Sequence, residues 1–370
     1  MRFIRDKKNI LINIVLCLFV FMLAICGAEF ALRKIDIEGF SGYKIFLGER
    51  RNYKDYTLLA QVVASANKDF EFTSGNCYPS NPTGLLPLKV INPYDGKYWY
   101  CVSYNKKQRR QGYNPERKRQ IALVGDSFTF GEGVKETDTL GYLLNEKYPK
   151  INFQNWGIMG ADTGSVMQTC KKIIEFAPAV DEVIYFYNLD DVAMSRMAIS
   201  QREYILFQKK MIYWPKDEEH SLVKVLSKSA LFSLARKVWQ MKKVSFLTTQ
   251  LYKDMYLSEN NRQGFLMTMD DIQSIKIMLA EHGISFRLVI YPLLYKDLLG
   301  RYPAESIHAE IINACNKRGI ICLDGYEPFK SYYSLKRFAV HPLDYHPNGL
   351  SNREIVDYIH KKDFVIDRPE

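Results

Sequence analysis

The chain has 370 residues, of which 47% are hydrophobic and 25% charged, an ordinary globular balance with room for one large domain or two modest ones. A net charge of +10 favours an acidic surface or polyanion only weakly, and no nucleic-acid partner is expected. Seven cysteines occur without a CxxC or a Cys/His cluster, which speaks against a zinc site; no metal or organic cofactor is expected.

Arg2, Arg5, Lys7 and Lys8 precede an apolar run from Ile10 to Ala28, about the length that spans a bilayer as a helix. Basic residues ahead of the run predict an N-terminus that stays in the cytoplasm, with the bulk of the chain outside. An uncleaved single-pass anchor over residues 1–32 is preferred. A cleaved signal peptide is the alternative, but the run is long for one and no Ala-x-Ala site closes it. A lipoprotein signal at Leu23-Ala24-Ile25-Cys26 is poor, because a small residue is expected where Ile25 stands.

Residues 33–118 are expected to be an N-terminal extension packed on the domain that follows, with a membrane-proximal stalk as the alternative. Tyr43–Leu47 and Tyr98–Val102 are expected as short strands, with a loop rich in Gly, Asn and Pro between them over residues 74–84. Cys77 and Cys101 share this segment and are expected to pair if it is extracytoplasmic. Cys170, Cys315 and Cys322 fall in apolar patterns and are expected to be inert core thiols.

From residue 119 strands and helices alternate. Strands are expected at Ile121–Val124, Asn152–Asn155, Glu182–Tyr187, Phe286–Tyr291 and Ile320–Leu323. Helices are expected at Thr139–Lys147, Thr163–Phe176, Thr268–His282, Ala304–Lys317 and Leu350–His360. This order predicts an α/β domain over residues 119–370, with a doubly wound parallel sheet flanked by helices. A helical insertion over residues 191–265 interrupts it, carrying a basic amphipathic helix at Lys224–Val244. Segments of this size often form lids or binding walls. A merely solvated or membrane-facing helix fits equally well.

Three stretches carry candidate chemistry. Ile121-Ala122-Leu123-Val124 runs into Gly125-Asp126-Ser127, followed by Phe128-Thr129-Phe130-Gly131-Glu132-Gly133-Val134. A buried strand ending in a tight turn that holds a serine is one way to present a nucleophile beside free N–H groups. The alternative is a turn in which Ser127 only caps a helix. No Gly-Lys-Ser/Thr follows, so a Walker phosphate loop is excluded. Asn155-Trp156-Gly157-Ile158-Met159-Gly160-Ala161-Asp162-Thr163 follows the second strand. Asp344-Tyr345-His346-Pro347-Asn348 precedes the final helix. A serine needs a histidine to take its proton, and the histidine needs a carboxylate to fix its tautomer. His346 fits the base. Asp344, two residues before it, shares its face in an extended stretch. His341 is the competing histidine.

These three stretches, in this order, resemble the blocks of the SGNH/GDSL hydrolase family. The longer Gly125–Val134 form resembles a membrane-anchored bacterial branch often found with surface-polysaccharide genes. The resemblance covers residues 119–365 and implies Ser127 as nucleophile, His346 as base and Asp344 as its orienting carboxylate. It implies an oxyanion hole from the N–H groups of Ser127 and Gly160 and a third donor after the next strand. There the family has an asparagine and this chain has Asp190, with Asn188 two residues earlier as the alternative. An ionised carboxylate repels an oxyanion and donates only when protonated. The implied function is a serine esterase removing acyl groups, O-acetyl above all, from an extracytoplasmic glycan at the bacterial inner membrane, periplasm or cell surface. The alternatives are an O-acyltransferase of surface-polysaccharide assembly, and a glycan-binding protein with a degraded site.

Overall fold

The computed structural model describes residues 2–34, 88–91, 98–102, 117–132, 134, 136–177, 179–213, 226, 229–296, 300–341 and 344–365. The expected strand at Tyr43–Leu47, and Cys77 with its expected partnership to Cys101, lie outside what is described. The chain divides into two compact units, residues 1–53 with 216–243, and residues 54–215 with 244–370.

The first unit contains helix α1 (Arg2–Lys34). Its Asn13–Ala31 stretch is long and apolar enough to cross a membrane, and its side chains there are not buried by the protein. Near its end, Glu29 Oε2 accepts hydrogen bonds from Ser229 Oγ and Leu231 N, both at 2.9 Å.

The second unit opens with an antiparallel pair, β1 (Leu88–Ile91) and β2 (Tyr98–Val102), the latter at its expected place. The central domain then runs β3 (Arg119–Gly125), α2 (Ser127–Phe130), α3 (Leu140–Lys147), β4 (Ile151–Asn155), α4 (Thr163–Phe176) and β5 (Glu182–Tyr187). After the insertion come α7 (Gln263–Ala280), β6 (Ser285–Ile290), α8 (Glu305–Lys317), β7 (Ile321–Asp324), the hairpin β8 (Ala339–His341) and β9 (Asp344–Pro347), and α9 (Gly349–Lys361). The sheet order is β4-β3-β5-β6-β7, all parallel. Ile121 to Val124 and Val183 to Phe186 are fully buried, as continuous apolar runs in a two-sided parallel sheet must be. Helix α4 packs with α7, and α3 with α9, to cover the sheet. The doubly wound expectation therefore holds.

Chain order puts β3 in the second place of the sheet, with β4 on one side and β5 on the other. The C-terminal ends of β3 and β5 form the switch point, where open α/β sheets bind ligands.

The insertion departs from expectation. It holds two described helices, α5 (Ile199–Tyr213) and α6 (Ala230–Leu257), where one at Lys224–Val244 was expected. Helix α5 buries Ile205 and Ile212, seven residues apart on one face. Helix α6 continues past Val244 because Leu251, Tyr252, Met255 and Tyr256 are buried. That burial outweighs the low helix propensity of Thr248 and Thr249. The Thr249 hydroxyl donates back to Ser245 O at 2.9 Å. The boundaries of the other elements moved by a few residues, the largest shift being the start of α7 at Gln263.

At the opposite end of the central strands, buried Glu182 opens β5 between two arginines. Arg119 of β3 lies 2.5 Å away and Arg287 of β6 2.6 Å away. Removing one partner of a buried ionic group leaves the others uncompensated. Glu182→Ala should therefore destabilise the folded chain by about 3–5 kcal/mol. Urea unfolding followed by circular dichroism measures this. A change within ~0.5 kcal/mol would show that the three strand starts do not rely on the ion pairs.

Candidate active site

The serine turn is built by local constraints. Strand β3 ends at Gly125, whose φ is 151°. A Cβ there would meet Phe186 O at 2.7 Å, so only glycine lets β3 and β5 close to this distance. Asp126 caps α2, with Oδ1 accepting from Phe128 N at 2.8 Å. Gly131 ends α2 in the left-handed conformation, and the N–H groups of Gly131 and Glu132 both donate to Ser127 O, at 2.9 and 3.0 Å. Serine and glutamate are thus locked in one turn.

The histidine arrives from the far end of the chain. Asn348 caps α9, its Oδ1 accepting from Leu350 N at 3.0 Å and Ser351 N at 3.1 Å. Its Nδ2 donates to Arg337 O at 2.8 Å and Ala339 O at 3.0 Å. One asparagine therefore fixes both the hairpin carrying His346 and the helix after it. His346 Nε2 lies 2.9 Å from Ser127 Oγ, at hydrogen-bond distance. The ring of Phe128 packs against the imidazole at 5.3 Å between centroids. Next to the histidine, Tyr345 OH meets Ser245 Oγ of the inserted helix α6 at 2.7 Å.

Asp344 sits in β9, two residues before His346, opposite His341. The side chains of Asp344 and His341 lie outside what is described.

The loop after β4 is tied to the serine turn. Asn155 Nδ2 donates to Thr129 O and its Oδ1 accepts from Gly157 N, each at 2.9 Å. Ile158 N donates to Gly125 O at 3.0 Å. Gly160 follows with φ 70°, in the left-handed region. Among the described residues, neither Ser127 N nor Gly160 N donates to a protein acceptor.

Behind the serine lies a buried polar cluster. Asn188, just past β5, donates from Nδ2 to Asp126 Oδ2 at 2.9 Å. Asp191 accepts from Asn188 N at 3.2 Å and from Tyr185 OH at 3.0 Å. Burial pushes Asp126 up to about 6, against the hydrogen bonds from Asn188 and Phe128, which lower it. Burial, reinforced by the neighbouring Asp126, holds Asp191 well above the usual carboxylate range. Asp190 sits differently. It is exposed and ion-paired with Lys209 of α5. Its carboxylate offers the site no donor, so of the two candidates for the third position only Asn188 has an amide turned inward, and that amide is engaged with Asp126.

The arrangement contains one residue to which the sequence assigned no role. Glu132 is buried, with Oε2 3.3 Å from His346 Nε2. Its one signal in the sequence was a carboxylate held between two glycines, five residues after the serine. The buried His308 is not a rival base. Both its nitrogens are engaged, with Asp324 at 2.7 Å and Tyr302 at 3.0 Å. Cys170 and Cys315 are free and buried, and burial pushes Cys170 up to about 12.

A serine hydroxyl within hydrogen-bond distance of an imidazole nitrogen is the pairing that lets a histidine take a serine's proton, and here it stands at the switch point of a doubly wound sheet. Solved structures similar to this chain include TesA, at 10% identity and a TM-score of 0.40 over 66% of this chain and 98% of that one. The psychrotrophic esterase EstA from Pseudoalteromonas sp. matches at 10% identity and a TM-score of 0.39, covering 67% of this chain and 98% of its own. The lipase/acylhydrolase from Enterococcus faecalis matches at 15% identity and a TM-score of 0.36, covering 66% and 96%. No protein-family model matches the sequence, and no curated protein matches it.

The Asp126 environment predicts a pH-dependent stability. Its folded value of about 6 lies above the ordinary 3.8, so the folded chain binds the proton more tightly than the unfolded one. That contribution is present at low pH and is lost as pH rises through about 6. Between pH 5 and pH 8 it amounts to roughly 1.4 kcal/mol. Asp126→Asn removes the titration, and the Asn188 amide can flip to accept from the new amide. The unfolding free energy of the variant relative to that of wild type should therefore rise by about that amount from pH 5 to pH 8. A pH-independent difference would show that Asp126 titrates normally.

Proposed function

We propose that the chain is a serine ester hydrolase of the SGNH/GDSL type, and that Ser127, His346 and Asp344 carry its reaction. The observation behind this reading is the 2.9 Å approach of Ser127 Oγ to His346 Nε2 at the switch point of the sheet. Ser127 Oγ attacks the ester carbonyl as its proton passes to Nε2. The carbonyl electrons move to oxygen, and the N–H groups of Ser127 and Gly160 hold the resulting oxyanion. The imidazolium then gives its proton to the departing alkoxide. Water repeats the sequence to free the acid and restore the serine. Asp344 orients the ring through its other nitrogen. In this scheme the oxyanion hole is made by backbone, and Asp190 has no part in it.

The substrate class in this proposal is an acyl ester, an O-acetyl group on an extracytoplasmic glycan. That choice rests on the Gly125–Val134 block and its likeness to a membrane-anchored branch of the family. The apolar stretch Asn13–Ala31 serves as the anchor, with the hydrolase unit on the far side.

Ser127→Ala and His346→Ala should each lower p-nitrophenyl acetate hydrolysis by about a thousandfold or more with unchanged circular dichroism. A fluorophosphonate probe should label wild type at Ser127 and leave Ser127→Ala unlabelled. Retained turnover in either variant would remove the serine–histidine assignment. Asp190→Asn should stay within about threefold of wild type, since its loss takes away no donor. A rise or fall of tenfold or more would put residue 190 back into the oxyanion hole.

A further inference from the structure

We propose that Glu132 is a positioning residue, a second carboxylate that holds the His346 imidazolium by the nitrogen that takes the serine proton. The inference rests on the proposed serine chemistry and deepens it.

Three observations converge. The Glu132 carboxylate is 3.3 Å from His346 Nε2, while Ser127 Oγ is 2.9 Å from the same atom. Glu132 is buried, only 3% exposed, so a charge on its carboxylate acts on the ring with little solvent screening. Its backbone N–H donates to the carbonyl of Ser127 itself, so the carboxylate and the nucleophile are carried by one hydrogen-bonded turn.

The orienting carboxylate of a serine hydrolase ordinarily works on Nδ1, the far side of the ring. Glu132 works on Nε2. Before attack, Nε2 carries a lone pair and the carboxylate gains nothing from it. As the Ser127 O–H bond breaks, the proton arrives on Nε2 and the ring becomes cationic. The new N–H then points between Ser127 Oγ and Glu132 Oε2. The carboxylate stabilises this state far more than the neutral one, which is the differential stabilisation that accelerates a step. It also keeps the N–H near the position that the departing alkoxide will occupy. The same attraction favours the imidazolium of the free protein, and a protonated ring cannot take the serine proton. Glu132 therefore exchanges activity at low pH for a faster proton transfer above it.

The groups facing His346 include Ser127 and Glu132 from the serine turn, the Phe128 ring, and Asp126, which acts on it through space. Asp344 precedes it on β9. Glu132 Oε2 and Ser127 Oγ both lie at contact distance from Nε2.

The test has two readouts. The first is the pH profile of kcat/KM on p-nitrophenyl acetate for wild type, Glu132→Gln and Glu132→Asp. Glu132→Gln should move the acid limb down by about one unit and lower the plateau tenfold or more, while Glu132→Asp recovers part of both. A plateau that falls with the acid limb unmoved means a structural role and overturns the proposal. The second readout is the imidazole titration of His346 by NMR on the 13C-histidine-labelled full chain, assigned among its six histidines with His346→Ala. The midpoint should lie above the ordinary ~6.5 in wild type and fall by about one unit in Glu132→Gln. Identical midpoints overturn the proposal, as does a wild-type midpoint below ~6.5, which is read even where a variant does not fold. An inactive wild type whose His346 midpoint still drops in Glu132→Gln sinks the esterase reading and leaves the ion pair standing.

Discussion

Strands β3 and β5 end side by side, and the hydrogen bond from the Asn188 amide to the Asp126 carboxylate joins their ends. Much of the site depends on that bond. Asp126 is the residue before the serine and also the cap of the serine's helix, so whatever holds its carboxylate holds Ser127. Asn188 in turn is pinned through its backbone to Asp191, and the Asp191 carbonyl accepts from Thr163 N at the start of α4. Two strands and one helix are thus referred to a single buried carboxylate. Burial makes the carboxylate hard to ionise, and the bonds from Asn188 and Phe128 oppose that tendency.

The rest of the site reaches this frame through side chains that each serve two elements. Asn155 ties the loop bearing Gly160 to the serine turn. Asn348 ties the histidine hairpin to α9. Each of these asparagines uses both ends of its amide on backbone groups, which a carboxylate or a lysine cannot do. Rigid placement of the reacting atoms follows from this, and small displacements at such sites cost large factors in rate.

The central sheet was legible because a buried parallel strand must be a short apolar run. Ile121–Val124 and Glu182–Tyr187 are such runs, and helices with capping residues alternate with them. The serine and the histidine were legible because their turns need particular residues in a fixed order. The insertion was not. Helix α6 is held by Leu251, Met255 and Tyr256 against the domain, a burial that local propensity does not encode. Nor was the fate of the residues after β5. Spacing put Asp190 at the third block, but its direction depends on Lys209, nineteen positions away in a helix the sequence did not reveal. Glu132 was visible as a residue and invisible as a partner, because its contact with His346 spans most of the domain.

Glu29 bears on how the protein can be handled. It lies within the apolar stretch of α1, where a carboxylate without a hydrogen-bond partner is expensive. Its oxygen accepts from Ser229 and from the N–H of Leu231, at the opening turn of α6. The first helix therefore supplies an acceptor to the opening turn of α6. A form trimmed after residue 34 leaves Ser229 and the N–H of Leu231 without that acceptor. Fragments of this chain that lack the first helix are therefore an imperfect stand-in for the whole.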